Sequence, residues 1–183
     1  WKVKAQRLAE EMDKSSATWA GRIRFPGDPA GVSMIRSSGF NLSLKPLIGD
    51  SFFGALELTQ QAEVLDAFWQ GIGKVLPEVF VHPKDFVMQK SVGVQVMHSV
   101  ALSAINWVRQ ENRFLKEPEA FADAMRDALV NLEGDTAGSG GLVVGPDFWI
   151  TGEEGAAGSH SSSAGKRVLI AKIKQGMPPM RIE

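Results

Sequence analysis

One segment constrains the fold more than any other, because it is apolar almost all the way round a helix. Between residues 92 and 110, apolar side chains recur on every side of a helical projection, at Val92, Val96, Met97, Val100, Ala101, Ile105 and Val108. A helix of this kind is stable only where neighbouring elements cover all of its faces. We therefore expect a buried central helix over residues 92–110, capped by Ser91.

The remaining apolar periodicity predicts further helices over residues 2–14, over 60–75, from Pro118 onward and over 164–175. Thr59 is a suitable N-cap for the second of these helices, and Pro77 ends it. Residues 21–25 and 32–36 alternate polar and apolar side chains, which is the period of a β-strand.

The turn-forming residues 26–31 separate these two strands and predict an antiparallel hairpin with a six-residue loop. The fold class that follows is α+β and mainly α-helical, a helical bundle round a buried central helix with one small antiparallel β-hairpin.

The domain organisation follows from the glycine-rich stretch 134–145, which we interpret as a linker or loop. It divides the hairpin and helical core, residues 1–133, from a C-terminal loop and basic helix, residues 146–183, that we expect to pack on that core. The chain does not begin with Met, so we expect it to be part of a longer protein.

Trp19 and Trp149 lie at element boundaries, where we expect them to be more exposed than the helical tryptophans.

Composition excludes several classes of function. With no cysteine, the chain has no disulfide scaffold, thiolate zinc site or iron–sulfur cluster. No apolar run approaches eighteen residues, so we expect no membrane partner. The three histidines lack metal-binding spacing, and we expect His98, on the most apolar helix, to be a core histidine with satisfied hydrogen bonds. We expect no metal, no cofactor and no catalytic residue.

Charge is distributed unevenly. The whole chain has 20 basic and 21 acidic residues, a net charge of −1, which excludes nucleic-acid binding through overall positive charge. Residues 1–48 carry eight basic and four acidic residues (+4), and residues 49–133 carry seven and twelve (−5). Residues 134–183 carry five of each, with every basic residue at or after Lys166. The N-terminal segment and the C-terminal helix are therefore the expected basic surfaces.

Candidate phosphate-binding residues lie in these two basic segments. Arg22 and Arg24 share one face of a predicted strand, where they either bind a phosphate or form the solvent-exposed face of the hairpin. The second group opens the last helix and comprises Ser161, Ser162, Ser163, Lys166, Arg167 and Lys172. The stretch looks like a phosphate-binding loop, but His160 stands where such a loop needs glycine. The alternative is a loop that ends in a serine N-cap.

Several strings, in order along the chain, resemble the DGQHR-domain family: AQRLAEE at 5–11, WAGRIRFPG at 19–27, LKPLI at 44–48, AFWQGI at 67–72, VLPEVF at 75–80, MQKSVG at 88–93, FW at 148–149 and SSSAGKR at 161–167. The family is similar to ParB- and sulfiredoxin-like α/β proteins. Some bacterial members accompany genes for DNA phosphorothioation or deazapurine modification as regulators or accessory factors. The naming Asp-Gly-Gln-His-Arg motif is absent from this chain. The resemblance therefore implies the C-terminal half alone and transfers no catalytic residue.

Three functions remain open at this point. The resemblance and the basic segments favour a cytoplasmic accessory module whose partner is DNA, other DNA-modification proteins or a second copy of itself. The near-neutral charge favours a structural or oligomerising helical domain without a ligand. A nucleotide-binding hydrolase that uses the serine-rich loop is the weakest alternative, and absence of activity is the favoured expectation.

Overall fold

The computed structural model describes residues 1–31, 33–138 and 140–181. Its helices are α1 (Lys2–Ser15), α2 (Ser37–Ser43), α3 (Lys45–Gly49), α4 (Leu58–Val75), α5 (Pro77–Val81), α6 (Ser91–Gln110), α7 (Pro118–Val130) and α8 (Ser163–Gly176). Its strands are β1 (Ile23–Arg24), β2 (Ile35–Arg36), β3 (Glu133–Asp135) and β4 (Leu142–Val144). The protein is α+β and mainly helical, with a packed helical core, as the sequence predicts.

Helix α6 is the centre of the fold, which confirms the prediction for residues 92–110. Helices α2, α3, α4, α7 and α8 all pack against it. The buried side chains of α6 cover a little more than half of its surface and include Val94, Val96, Met97, Val100, Ala104 and Val108. The opposite face, which carries Gln95, Ser99 and Asn106, is only partly buried. The helix begins one residue earlier than predicted. Ser91 is its first residue, and Lys90 occupies the N-cap position without a side-chain capping bond.

Helix α4 begins at Leu58, so the prediction of Thr59 as its N-cap is wrong. Glu57 is the N-cap residue, and it forms a capping box with Gln60. The Gln60 side chain accepts a hydrogen bond from the Glu57 backbone N–H at 3.1 Å, and the Glu57 carboxylate accepts one in return from the Gln60 backbone N–H. Two backbone N–H groups that would otherwise lack a partner are paired in this way, which a threonine at the second helical position cannot do.

Helices α4 and α7 approach each other closely at Gly71, which limits the size of this residue. A Cβ atom at Gly71 would lie 2.7 Å from Cβ of Phe121 and 2.8 Å from the backbone N of Ala122. At Gly73, two residues further along α4, a Cβ would meet only the Phe80 ring, at an ordinary 3.7 Å. The first glycine therefore permits helix packing, whereas the second contributes only backbone freedom.

We expect Gly71→Ala and Gly73→Ala to change stability in opposite directions. Alanine at position 71 overpacks the α4–α7 contact and should lower the free energy of unfolding by about 2 kcal/mol. Alanine at position 73 improves helix propensity without a clash and should raise it by about 0.5–1 kcal/mol. Urea denaturation of both variants measures the difference. Equal effects at the two positions would contradict the close approach of α4 and α7.

The predicted hairpin over residues 21–36 is wrong, because β1 and β2 pair in parallel. Ile23 lies opposite Ile35, and Arg24 lies opposite Arg36. Alternation predicts which side chains are buried, and both isoleucines are indeed buried. It does not predict the direction of the strand, and the connecting residues give the chain enough length to return before it pairs. Val32, in the predicted second strand, lies outside the described residues.

The antiparallel hairpin of the fold lies instead in the glycine-rich stretch. Strands β3 and β4 pair in antiparallel register, with Gly134 opposite Val143. The ladder continues into the turn, where the Thr136 backbone N–H donates to the Gly141 carbonyl at 2.7 Å. Strands of three residues among five glycines show too little alternation of polar and apolar side chains to be recognised, so the sequence of this segment predicts a loop.

The C-terminal segment is joined to the core by backbone hydrogen bonds and by packing. The Val87 N–H donates to the Trp149 carbonyl at 2.7 Å, and α8 packs on α6 and α7. The expectation that Trp19 and Trp149 are exposed is wrong, since both are fully buried. Trp19 makes edge contacts with Phe40 and Trp69, at centroid distances of 5.0 and 5.1 Å. Element boundaries here lie inside the molecule, because short segments fold back over the central helix.

Candidate nucleic-acid interface

His98 is a core histidine with satisfied hydrogen bonds, as predicted. The Trp69 indole N–H donates to its Nε2 at 3.0 Å, so the ring proton must lie on Nδ1. That nitrogen is 2.7 Å from the Ser43 hydroxyl, which in turn donates to the Phe40 carbonyl at 2.6 Å. Burial lowers the pKa of His98 from 6.5 to about 3, because the charged ring would lose its hydration. Each polar atom of this network has a structural partner.

The serine-rich loop before α8 forms a helix cap, which confirms that interpretation of the pattern. The Ser162 hydroxyl accepts a hydrogen bond from the Gly165 backbone N–H at 2.9 Å. His160 packs over the Phe148 ring, and its Nδ1 lies 3.1 Å from the Gly165 carbonyl oxygen. Ser161 and Ser163 are exposed beside the cap. The Gly165 backbone N–H, one of the donors that could contact a phosphate at the start of the helix, is therefore already used by the cap.

The basic residues of α8 point in different directions. Lys166 crosses to α6, where its ammonium group donates to the side-chain oxygen of Gln95. The amide of Gln95 donates in turn to the Ser91 hydroxyl at 3.1 Å, so Lys166 is held over the first turns of α6. Lys172 donates to the Glu133 carbonyl of β3, and Arg167 is exposed with only a local contact to Ser163, at 3.4 Å.

The same end of α6 also receives Arg22. One guanidinium nitrogen of Arg22 donates to the side-chain oxygen of Gln89 at 2.6 Å, and Gln89 itself is buried. The next residue, Lys90, is the N-cap of α6, and its ammonium group donates to the Lys84 carbonyl at 2.8 Å. Four basic residues from three separate parts of the chain thus lie near the start of α6, each with a hydrogen bond through its side chain or its backbone in this region. We call this surface the basic end of α6, defined by Arg22, Lys84, Lys90 and Lys166.

The basic end of α6 carries uncompensated positive charge. Among residues 1–31, 33–138 and 140–181 there are six ion pairs, and none of them includes one of these four cations. No acidic residue occupies the first turn of α6, so the positive end of the helix dipole adds to the field. A cleft of about 460 Å³ lies beside the cluster, lined in part by Arg22, Lys84, His82 and the one carboxylate of Asp85.

Arg24 does not accompany Arg22, although the sequence places them on one face. Its Nε donates to the Asp28 carbonyl at 3.3 Å, and the parallel register of β1 and β2 places it beside Arg36. Sequence reasoning did not select Arg36, Lys84 or Lys90. Lys84 and Lys90 lie in the acidic middle of the chain, so averaging charge over residues 49–133 conceals them.

The chain matches no protein-family model, no curated protein and no solved structure. In the part of the chain that the structure describes, no helix has the length and apolar character needed to cross a membrane.

Proposed function

We propose that the basic end of α6 binds the sugar–phosphate backbone of DNA. The observation that carries the proposal is that four basic residues lie near the start of α6 and that none of them forms an ion pair among the described residues. Cations that contact phosphates release condensed counterions, and this release drives association even when the protein as a whole is near neutral. Contacts of this kind position a protein on the strand without reading its sequence.

The resemblance to the DGQHR-domain family supports DNA as the polyanion and suggests its setting. In this proposal the chain is the C-terminal half of a bacterial, cytoplasmic accessory or regulatory protein, which brings a DNA-modification complex to its substrate. The basic end of α6 would supply sequence-independent affinity, and a partner or another part of the protein would supply selectivity.

The double variant Lys84→Gln/Lys166→Gln tests the proposal directly. We expect it to fold normally and to bind duplex DNA more weakly, to a similar degree for all sequences. The slope of log K against log salt should fall by about 1.8, which corresponds to two lost phosphate contacts. Fluorescence anisotropy of a labelled duplex over a salt series measures both quantities.

A matched control removes the same charge from another surface. Lys74 and Lys116 are paired with Glu119 and Glu63, at 3.3 and 2.5 Å. The variant Lys74→Gln/Lys116→Gln should therefore keep the wild-type salt slope. If the wild type binds neither duplex nor single-stranded DNA at about 50 mM salt, the proposal is wrong, and a structural or oligomerising role becomes the better account.

A further inference from the structure

Two arginines lie side by side on the small parallel sheet. Arg24 and Arg36 are register partners, and the isoleucines that precede them, Ile23 and Ile35, are buried on the opposite face. Neighbouring strands lie about 4.8 Å apart, so the Arg24 and Arg36 side chains start from adjacent positions on the sheet. Like charges directly opposite each other destabilise a sheet unless an anion lies between or beside them.

A pocket of about 250 Å³ opens at this arginine pair, and Ser37 lies in its wall. Ser37 is only 7% exposed as a residue, and its hydroxyl can donate a hydrogen bond to a ligand in the pocket. The hydroxyl of Ser38, which is exposed, lies in the same wall.

Asp28 balances part of the positive charge in the pocket. Its carboxylate accepts a hydrogen bond from the Phe25 backbone N–H at 2.8 Å, and its backbone carbonyl accepts one from Arg24 at 3.3 Å. Two arginines and one aspartate leave a net charge of +1. A phosphate group fits this arrangement, since guanidinium groups hold its oxygens in pairs and a serine hydroxyl can donate to a third oxygen.

We infer that the pocket between Arg24 and Arg36 binds a single phosphate group, with Ser37 as an additional donor. The phosphate belongs either to a nucleic-acid strand or to a small phosphorylated molecule, and the recognition chemistry is the same for both. The pocket lies on β1 and β2 and uses none of the four cations at the basic end of α6, so the inference does not require the proposed function to be correct.

Titration with inorganic phosphate at constant ionic strength tests the pocket itself. We expect phosphate to raise the Tm of the wild type by a few degrees relative to chloride, as binding to the folded state requires. Arg36→Gln should weaken phosphate binding by roughly 10- to 100-fold, and Ser37→Ala by several-fold. The control Arg7→Gln removes an exposed arginine from α1 and should bind phosphate like the wild type. Absence of phosphate binding by the wild type, or equal affinity in Arg36→Gln, would overturn the inference.

A second measurement, of DNA affinity in Arg36→Gln, identifies the source of the phosphate and separates the two proposals. Weaker DNA binding by this variant, together with competition between phosphate and DNA, supports the pocket as a strand-binding site. Arginine-dependent phosphate binding without any DNA binding supports the pocket with a small phosphorylated ligand and refutes the proposed function. DNA binding by a wild type that does not bind phosphate refutes the pocket and leaves the proposed function standing.

Discussion

Val100→Asp is expected to unfold the protein or to lower its free energy of unfolding by about 4–5 kcal/mol. Val100 is fully buried on α6, the helix against which five other helices pack. An aspartate there would bury a carboxylate without a partner or would have to become protonated, and either outcome costs several kcal/mol. The loss is comparable to the whole stability of a marginal domain, about 5–15 kcal/mol.

Urea denaturation followed by circular dichroism measures this loss. The matched control is Val3→Asp, which introduces the same change at a valine of α1 that is 68% exposed. That variant should stay within about 0.5 kcal/mol of the wild type, as surface substitutions usually do. An unchanged midpoint for Val100→Asp would mean that α6 is not the centre of the core.

Acidification is expected to destabilise the protein through His98, beginning near pH 6.5. Burial holds the pKa of His98 at about 3 in the folded protein, whereas the unfolded chain keeps the ordinary value of 6.5. Below pH 6.5 the unfolded state binds this proton and the folded state does not, so stability falls as pH falls. The loss approaches about 1.4 kcal/mol per pH unit, reaches about 2.7 kcal/mol at pH 4.5 and levels off near the folded pKa.

Urea midpoints at pH 7.5 and pH 4.5 separate this contribution from the titration of carboxylates. His98→Gln can still accept a hydrogen bond from Trp69 and donate one to Ser43, but it cannot titrate. We expect it to be less stable than the wild type at pH 7.5 and to lose about 2.7 kcal/mol less on acidification. His82→Gln makes the same substitution at an exposed position and controls for the loss of an imidazole elsewhere in the chain. The same acid sensitivity in His98→Gln and the wild type would contradict the assignment.

The helical part of the fold could be predicted because its signals are local. The apolar segment 92–110 needs neighbours wherever the other elements lie, and five helices pack against it, although one of its faces stays partly exposed. The start of α4 was missed because Glu57 and Gln60 form a capping box that lacks the usual serine or threonine. Capping preferences favour Thr59 as the N-cap, but the reciprocal hydrogen bonds of Glu57 and Gln60 determine where the helix begins.

The parts that could not be predicted depend on contacts between distant segments. The parallel direction of β1 and β2 is set by where residues 25–34 lead the chain, which alternation does not encode. The candidate interface has the same character. Arg22 and Lys166 are held near the start of α6 by Gln89 and Gln95, two neutral residues that the sequence does not mark as functional.

Those two glutamines have a consequence for the thermodynamics of binding. A free lysine or arginine side chain loses up to about 2 kcal/mol of rotamer entropy when a ligand immobilises it. Gln89 and Gln95 already hold Arg22 and Lys166; Gln95 lies in the central helix, and Gln89 lies two residues before it. Much of this side-chain entropy is therefore already lost when the protein folds, so the surface is preorganised for a polyanion. Binding should then proceed with a small change in heat capacity, as for a rigid surface rather than for a segment that folds on contact.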